Sequence, residues 1–321
     1  MAIHRRESPA CLIWVESERH LASLTSPMIP RHLRSALLFI AGSVLATGLF
    51  AQAPAPKLVF PDASPAATLK QRVGITDIEI SYNRPGMKGR KIFGDLVPYG
   101  EVWRTGANTA TKITFSTDVK LNGTAIPAGT YELFTIPGPS EWTVIVHKNM
   151  SQWGAYAYDM KNDVARISAK PRATTTPVET LAFAIGDVRQ ASAKLNLFWE
   201  NTVVPIQIDV DTVGLLVPQI EAVMASAEPK KPYFSAAMFY YDNDLDLKKA
   251  AAWMDAAIAE RPNQMWMIYR KGLILAKMGD KAGARAAALQ SLDLVKSDDK
   301  SPASLKDEYT RLNNALLASL K

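Results

Sequence analysis

The chain is poor in the side chains that most often carry chemistry. Its 321 residues hold one cysteine, Cys11, and four histidines, of which only His147 lies beyond residue 54. Most of the chain therefore has no disulfide, no thiol nucleophile and one imidazole for acid–base work. The clustered His and Cys of most zinc sites are excluded with them. No Gly-x-Ser-x-Gly elbow, no Gly-x-Gly-x-x-Gly after a strand and no phosphate loop ending in Gly-Lys-Ser/Thr occurs, which removes the usual seats of a serine nucleophile and of nucleotide phosphates. No cofactor is expected. Lys and Arg never run beyond a doublet, and the net charge of +6 is spread along the chain, so no nucleic-acid partner is expected.

What is present suits a folded protein of two domains. A 48% hydrophobic composition over 321 residues is enough for a full core, and a domain typically takes ~100–200 residues. The N-terminal part reads as an address. Arg31, His32 and Arg34 precede an apolar run from Ala36 to Phe50, and Ala51-Gln52-Ala53 offers small residues for cleavage. A signal peptide over 28–53, cut near Ala51 or Ala53, places the mature protein outside the cytoplasm, in the periplasm or beyond. Uncleaved, the same run would be the chain's one membrane contact. Residues 1–27 carry mixed charge and no apolar core, so they are expected to be a mis-assigned extension with Met28 as the start. Residues 54–68 are expected to be a linker.

From Thr76 to Asp211 the apolar residues alternate. Ile78, Ile80 and Tyr82 set the pattern, and seven further runs repeat it around Ile113, Val119, Tyr131, Trp142, Leu181, Leu195 and Ile206. Asn122-Gly123 is a hairpin signal between two of them. About eight short strands without helical pattern predict an antiparallel β-sandwich or jelly-roll-like domain over 69–211. After Asp211 the period becomes helical, beginning with Leu215, Leu216, Ile220 and Val223. Phe234, Ala237, Met238 and Tyr241, then Ala250, Met254 and Ala257, fit the two helices of one tetratricopeptide-like unit of ~34 residues. Ile268, Gly272, Leu275, Gly279, Ala284 and Ala288 fit a second. The domain over 212–321 is thus expected to be a helical repeat, capped by a helix from about Ser301 to Leu320 and covered by the β domain at its other end. An ordinary helical bundle is the alternative.

Candidate binding residues gather in a loop-rich stretch from Tyr82 to Phe115. Arg84, Lys88, Arg90, Lys91 and Arg104 share it with Tyr99, Trp103 and Asn108, among repeated Gly and Pro. Converging guanidinium groups would grip a carboxylate, phosphate or sulfate, and Tyr99 or Trp103 would stack on a sugar. Against this stands a structural reading, in which Arg84 and Arg104 pair with Asp77, Asp95 or Glu101 and Trp103 fills the core. Trp153 and Tyr156, in the run Trp153-Gly154-Ala155-Tyr156, are expected to form a second wall of the same cleft. His147 ends a strand on the face opposite Trp142, Val144 and Val146.

The runs Lys88-Gly89-Arg90-Lys91-Ile92-Phe93-Gly94, Leu96-Val97-Pro98-Tyr99-Gly100, Val102-Trp103-Arg104-Thr105-Gly106-Ala107-Asn108, Pro127-Ala128-Gly129-Thr130-Tyr131 and Trp153-Gly154-Ala155-Tyr156 resemble the bacterial family called domain of unknown function 2911, over roughly Leu69 to Asp211. The resemblance implies an exported envelope protein, with helical repeats often following the β domain. It carries no activity and no catalytic residues. Three functions fit these observations. The first is a non-catalytic envelope binding protein, taking a small anionic or glycan ligand on its loops and a protein partner on its helices. The second is an envelope hydrolase using carboxylates and His147, and the third a structural scaffold.

Overall fold

A computed structural model describes residues 58–148 and 150–321. The expected extension, the signal segment and the first residues of the linker lie outside the described residues. Among those described, no helix is long and apolar enough to cross a membrane.

Ten strands precede the helices: β1 (Ala66–Val73), β2 (Thr76–Asn83), β3 (Thr111–Phe115), β4 (Val119–Leu121), β5 (Thr124–Ile126), β6 (Gly129–Ile136), β7 (Trp142–Lys148), β8 (Asp163–Ala169), β9 (Arg172–Gly186) and β10 (Ser192–Val210). They form a six-stranded sheet in the order β1-β2-β3-β6-β7-β8 and a four-stranded sheet in the order β5-β4-β10-β9. All strand pairings are antiparallel. The alternation produces the sandwich directly. Ile78, Ile80, Ile113, Phe115, Leu133, Val144 and Val146 from the first sheet meet Val119, Leu121, Leu181, Leu195, Leu197, Ile206 and Ile208 from the second in one buried cluster.

The strand count differs from the eight runs, for three physical reasons. β1 begins at Ala66, inside the expected linker, and as an edge strand it leaves most of its residues partly or fully exposed, so its apolar signal is weak. β5 has three residues, and in β8 the apolar Val164 is exposed on the same side as Arg166, which blurs its alternation. The runs around Leu195 and Ile206 are one 19-residue strand, interrupted by register shifts on either side of Glu200, whose φ of 54° marks a bulge.

Six helices follow: α1 (Thr212–Ala225), α2 (Tyr233–Asp242), α3 (Leu247–Glu260), α4 (Met265–Lys277), α5 (Lys281–Ser297) and α6 (Ala303–Ser319). Asp211, Asp246 and Asp280 cap α1, α3 and α5 by accepting from backbone N–H groups of the first turn. Ala250 and Met254 of α3, and Ala284 and Ala288 of α5, are fully buried at matching places in two helical hairpins. Gly272 lets α4 approach its neighbours, because a Cβ there would stand 3.0 Å from Leu316 of α6 and 3.4 Å from the Ala284 carbonyl. Lys271, out of place for an apolar position, pairs with Asp255 at 2.6 Å. α6 caps the array as expected. Asn313 donates to Ser291 Oγ, which donates to the Met265 carbonyl, so α6, α5 and α4 share one buried polar chain. At the opposite end α1 takes the place expected for the β domain: Leu216, Val217 and Ile220 pack against Ala236, Ala237 and Tyr240, and Glu221 holds Lys249 and the Tyr240 hydroxyl.

Candidate functional site

The stretch between β2 and β3, 84–110, is folded back onto the sandwich. Trp103 and Thr135 of β6 exchange backbone hydrogen bonds of 2.8 and 2.9 Å. The bulged Glu200 accepts from the Ile92 and Phe93 N–H groups at 3.3 and 3.4 Å. Ile92 and Phe93 are thereby drawn into the core, where Phe93, Trp103, Trp142 and Trp199 form a ring cluster. Trp103 stacks on Trp199 at 5.8 Å, with an angle of 19° between the planes. Tyr99 lies across Gly94, whose φ of 84° and missing side chain make room for the ring. Trp103 is thus a core residue, as its size suggests, and one edge of it still faces outward.

That edge borders a hollow of about 300 Å³, lined also by Arg90, Leu96, Pro98, Glu101, Arg104 and Trp199. Ligand sites commonly begin at ~300 Å³, with apolar walls and few polar groups. The arginines differ in what holds them. Arg84 donates through Nε to the Leu181 carbonyl at 2.9 Å, an anchoring role. Arg90 spends Nε and one terminal nitrogen on the Met87 and Gly86 carbonyls, at 2.9 and 2.7 Å, and its other terminal nitrogen has no protein partner. The Arg104 carbonyl accepts from the Thr111 N–H at 3.2 Å, but its guanidinium has no hydrogen bond or ion pair among the described residues, and its Nε is buried without a partner. None of the three pairs with an acid; Asp77, one of the proposed partners, is held by Arg72 at 2.7 Å instead.

The other expected site residues lie elsewhere. Lys88 is exposed, in the left-handed conformation at φ 50°, and its N–H donates to Glu179. Tyr99 is half exposed beside Gly94. Asn108, at φ 58°, accepts from the Gly154 N–H at 3.0 Å, and Thr109 bridges Trp153. The two loops therefore meet along their backbones, but the lining of the hollow contains no residue of 151–159. Trp153 and Tyr156 stand 65% and 88% exposed. The single cleft expected from the sequence is replaced by a hollow and a separate aromatic loop. The cause is that Ala155 and Tyr158 are committed to covering Phe134 and Ile145 on the outer face of the first sheet.

Beneath that cover lies a polar group that strand alternation alone did not reveal. Glu132 and His147 are neighbours across β6 and β7, both with wholly buried side chains, and His147 Nδ1 stands 3.7 Å from Glu132 Oε2. Gln152 donates its N–H and its side-chain amide to Glu132, at 2.7 and 2.9 Å. Both ring nitrogens of His147 face carbonyls, that of Lys148 at 2.7 Å and that of Asp159 at 3.2 Å; a neutral ring donates to only one of them, so both bonds together need the doubly protonated form. The one hint in the sequence is a glutamate inside the apolar run Tyr131-Glu132-Leu133-Phe134. Nearby, burial first and then the hydrogen bond to Asp163 push the Tyr158 hydroxyl up to about 12. Among the described residues no cluster of three or more His, Cys, Asp or Glu is arranged to hold a metal ion.

Residues 64–208 match the model of a family described as protein of unknown function (DUF2911). The match begins just before β1 and ends within β10, and the helical part lies beyond it. No curated protein and no solved structure matches the chain significantly.

Proposed function

We propose, from the premise that the β domain of this chain belongs to the DUF2911 family, that the protein is an exported, non-catalytic binding protein of the cell envelope. The β-sandwich takes a small anionic or sugar-like ligand in the hollow beside Trp103, and the helical part, in the manner of a tetratricopeptide array, docks a protein partner. One observation carries the reading: the Arg104 guanidinium borders an open hollow with no acid and no carbonyl assigned to it. The terminal nitrogens of that guanidinium have no partner among the described residues, and an incoming carboxylate, phosphate or sulfate oxygen would give them a charge-assisted one.

The hydrolase reading has less support. Glu132 and His147 are close enough to work together, but both are sealed from solvent, and Glu101 is the one carboxylate lining the hollow, where a two-acid mechanism needs a pair. The helical half offers its own hollow of about 640 Å³ between the α3–α4 and α5–α6 turns, bordered by Trp266, Leu294 and Asp298, a place for a partner segment.

The test is thermal melting of the exported chain against acetate, citrate, phosphate, sulfate and a panel of envelope glycans. A ligand at ~100 times its Kd adds about 2.7 kcal/mol to stability, a readily measured rise in Tm. Arg104→Ala should abolish that rise. A flat response across the whole panel overturns the binding function.

A further inference from the structure

The hollow beside Trp103 contains both signs of charge, and they are not spent on each other. Arg90 and Arg104 line it with Glu101, yet no ion pair joins Glu101 to either arginine within 4.0 Å, and Glu101 has no hydrogen bond to its side chain among the described residues. Opposite charges on one small surface ordinarily approach when nothing else holds them apart. Here the backbone holds them apart. Arg90 is fixed by the Met87 and Gly86 carbonyls, and Arg104 follows Trp103, which is clamped to Thr135 on both its N–H and its C=O. The floor between them is apolar, made by the stacked pair Trp103 and Trp199.

We propose that the ligand is a small zwitterion with an apolar body: a free amino acid or a short peptide bearing both its carboxylate and its ammonium. The proposal rests on the binding reading above and narrows it. The carboxylate takes the terminal nitrogens of Arg104, which make no bond among the described residues, and the free terminal nitrogen of Arg90, the charge-assisted arrangement that guanidinium groups favour. The ammonium goes to Glu101. The side chain lies against the outward edge of Trp103, with Leu96 and Pro98 beside it. A purely anionic ligand would leave Glu101 facing it with like charge, and a neutral sugar would leave the buried Arg104 donor without a charged acceptor.

Titration calorimetry of the full chain separates these cases with phenylalanine, alanylphenylalanine, N-acetylphenylalanine and phenethylamine. Phenylalanine or the dipeptide should bind, N-acetylphenylalanine at least tenfold more weakly, and phenethylamine, which lacks the carboxylate, not measurably. Glu101→Gln, at an exposed residue with no partner to lose, should leave the fold intact and bring phenylalanine and N-acetylphenylalanine to within about threefold of each other. Arg104→Met should remove binding of the three that carry a carboxylate. Equal binding of phenylalanine and N-acetylphenylalanine by the unsubstituted protein overturns the zwitterion while leaving an anion-binding hollow. Binding of none of the four, with a melting shift retained for a simple anion or glycan, overturns it too. Silence in both experiments removes the hollow's function altogether.

Discussion

Two polar constellations sit close together in the β domain, and they are built on opposite terms. Glu132, Gln152 and His147 are enclosed, and Glu132 accepts from both the N–H and the side-chain amide of Gln152, whose own Oε1 is left without a partner among the described residues. Arg90, Glu101 and Arg104 stand around an open hollow, with their charges uncommitted to one another. The residue types would suggest the reverse assignment, since a histidine beside a carboxylate is the usual mark of catalysis. What separates them is solvent access and partnering. A polar group closed off from solvent and held by its neighbours is an element of the fold, whereas a fixed charge bordering an open hollow is within reach of a ligand.

The sharpest way to break this contrast is to empty the enclosed group. Glu132→Ala leaves the Gln152 N–H and amide without acceptors and His147 without its neighbouring carboxylate. The expected loss is on the order of 3 kcal/mol in urea unfolding. Because Gln152 anchors the loop that carries Trp153, protease cleavage at 150–159 should accelerate in the same variant. A loss below about 1 kcal/mol would mean that the network is not structural, and would reopen the question of what Glu132 and His147 do.

A smaller effect tests the cover over this network. Tyr158→Phe removes the hydrogen bond to Asp163, whose Oδ1 already lacks a partner, for an expected cost of about 1 kcal/mol. The folded hydroxyl titrates near 12, above its ordinary 10. Its contribution is therefore fully present below pH 10 and is lost as the pH rises from 10 towards 12. Stability measured from pH 9 to 11.5 should fall less steeply in Tyr158→Phe than in the parent. Parallel slopes would show that Tyr158 carries no pH-dependent share.

The same contrast explains what could be read in the sequence. Period-two alternation marks which strand faces are apolar, and so the sandwich and its long core strands were visible from Ile78 to Val210. The change to a helical period marked the second half. Edge strands escape that method: β1 is hardly buried on either side, so its first residues, Ala66 to Thr68, read as linker. Alternation also hides a polar pair on a covered outer face, because Glu132 and His147 occupy positions that solvent would normally fill. Residue type and loop context single out Arg90, Trp103 and Arg104, which the fold brings to one hollow. That Trp153 and Tyr156 belong to a different surface is not legible in this way, because it depends on Ala155 and Tyr158 packing over Phe134, a contact between segments distant in the chain.

The least effect is expected where the binding argument is strongest. Arg104→Ala removes a side chain that makes no hydrogen bond or ion pair among the described residues and carries a buried nitrogen without a partner. Its unfolding free energy should stay within about 0.5 kcal/mol of the parent, the range of substitutions that break no specific interaction. A slight gain is consistent, because an unsatisfied donor is lost. Arg84→Ala, by contrast, gives up the bond from Nε to the Leu181 carbonyl, which ties 84–110 to β9, and should cost about 1 kcal/mol. Side-by-side urea titrations decide the matter. If Arg104→Ala destabilises as much as Arg84→Ala, the guanidinium at the hollow is holding the fold together, and the distinction between a committed charge and an available one fails at the residue on which the proposed binding rests.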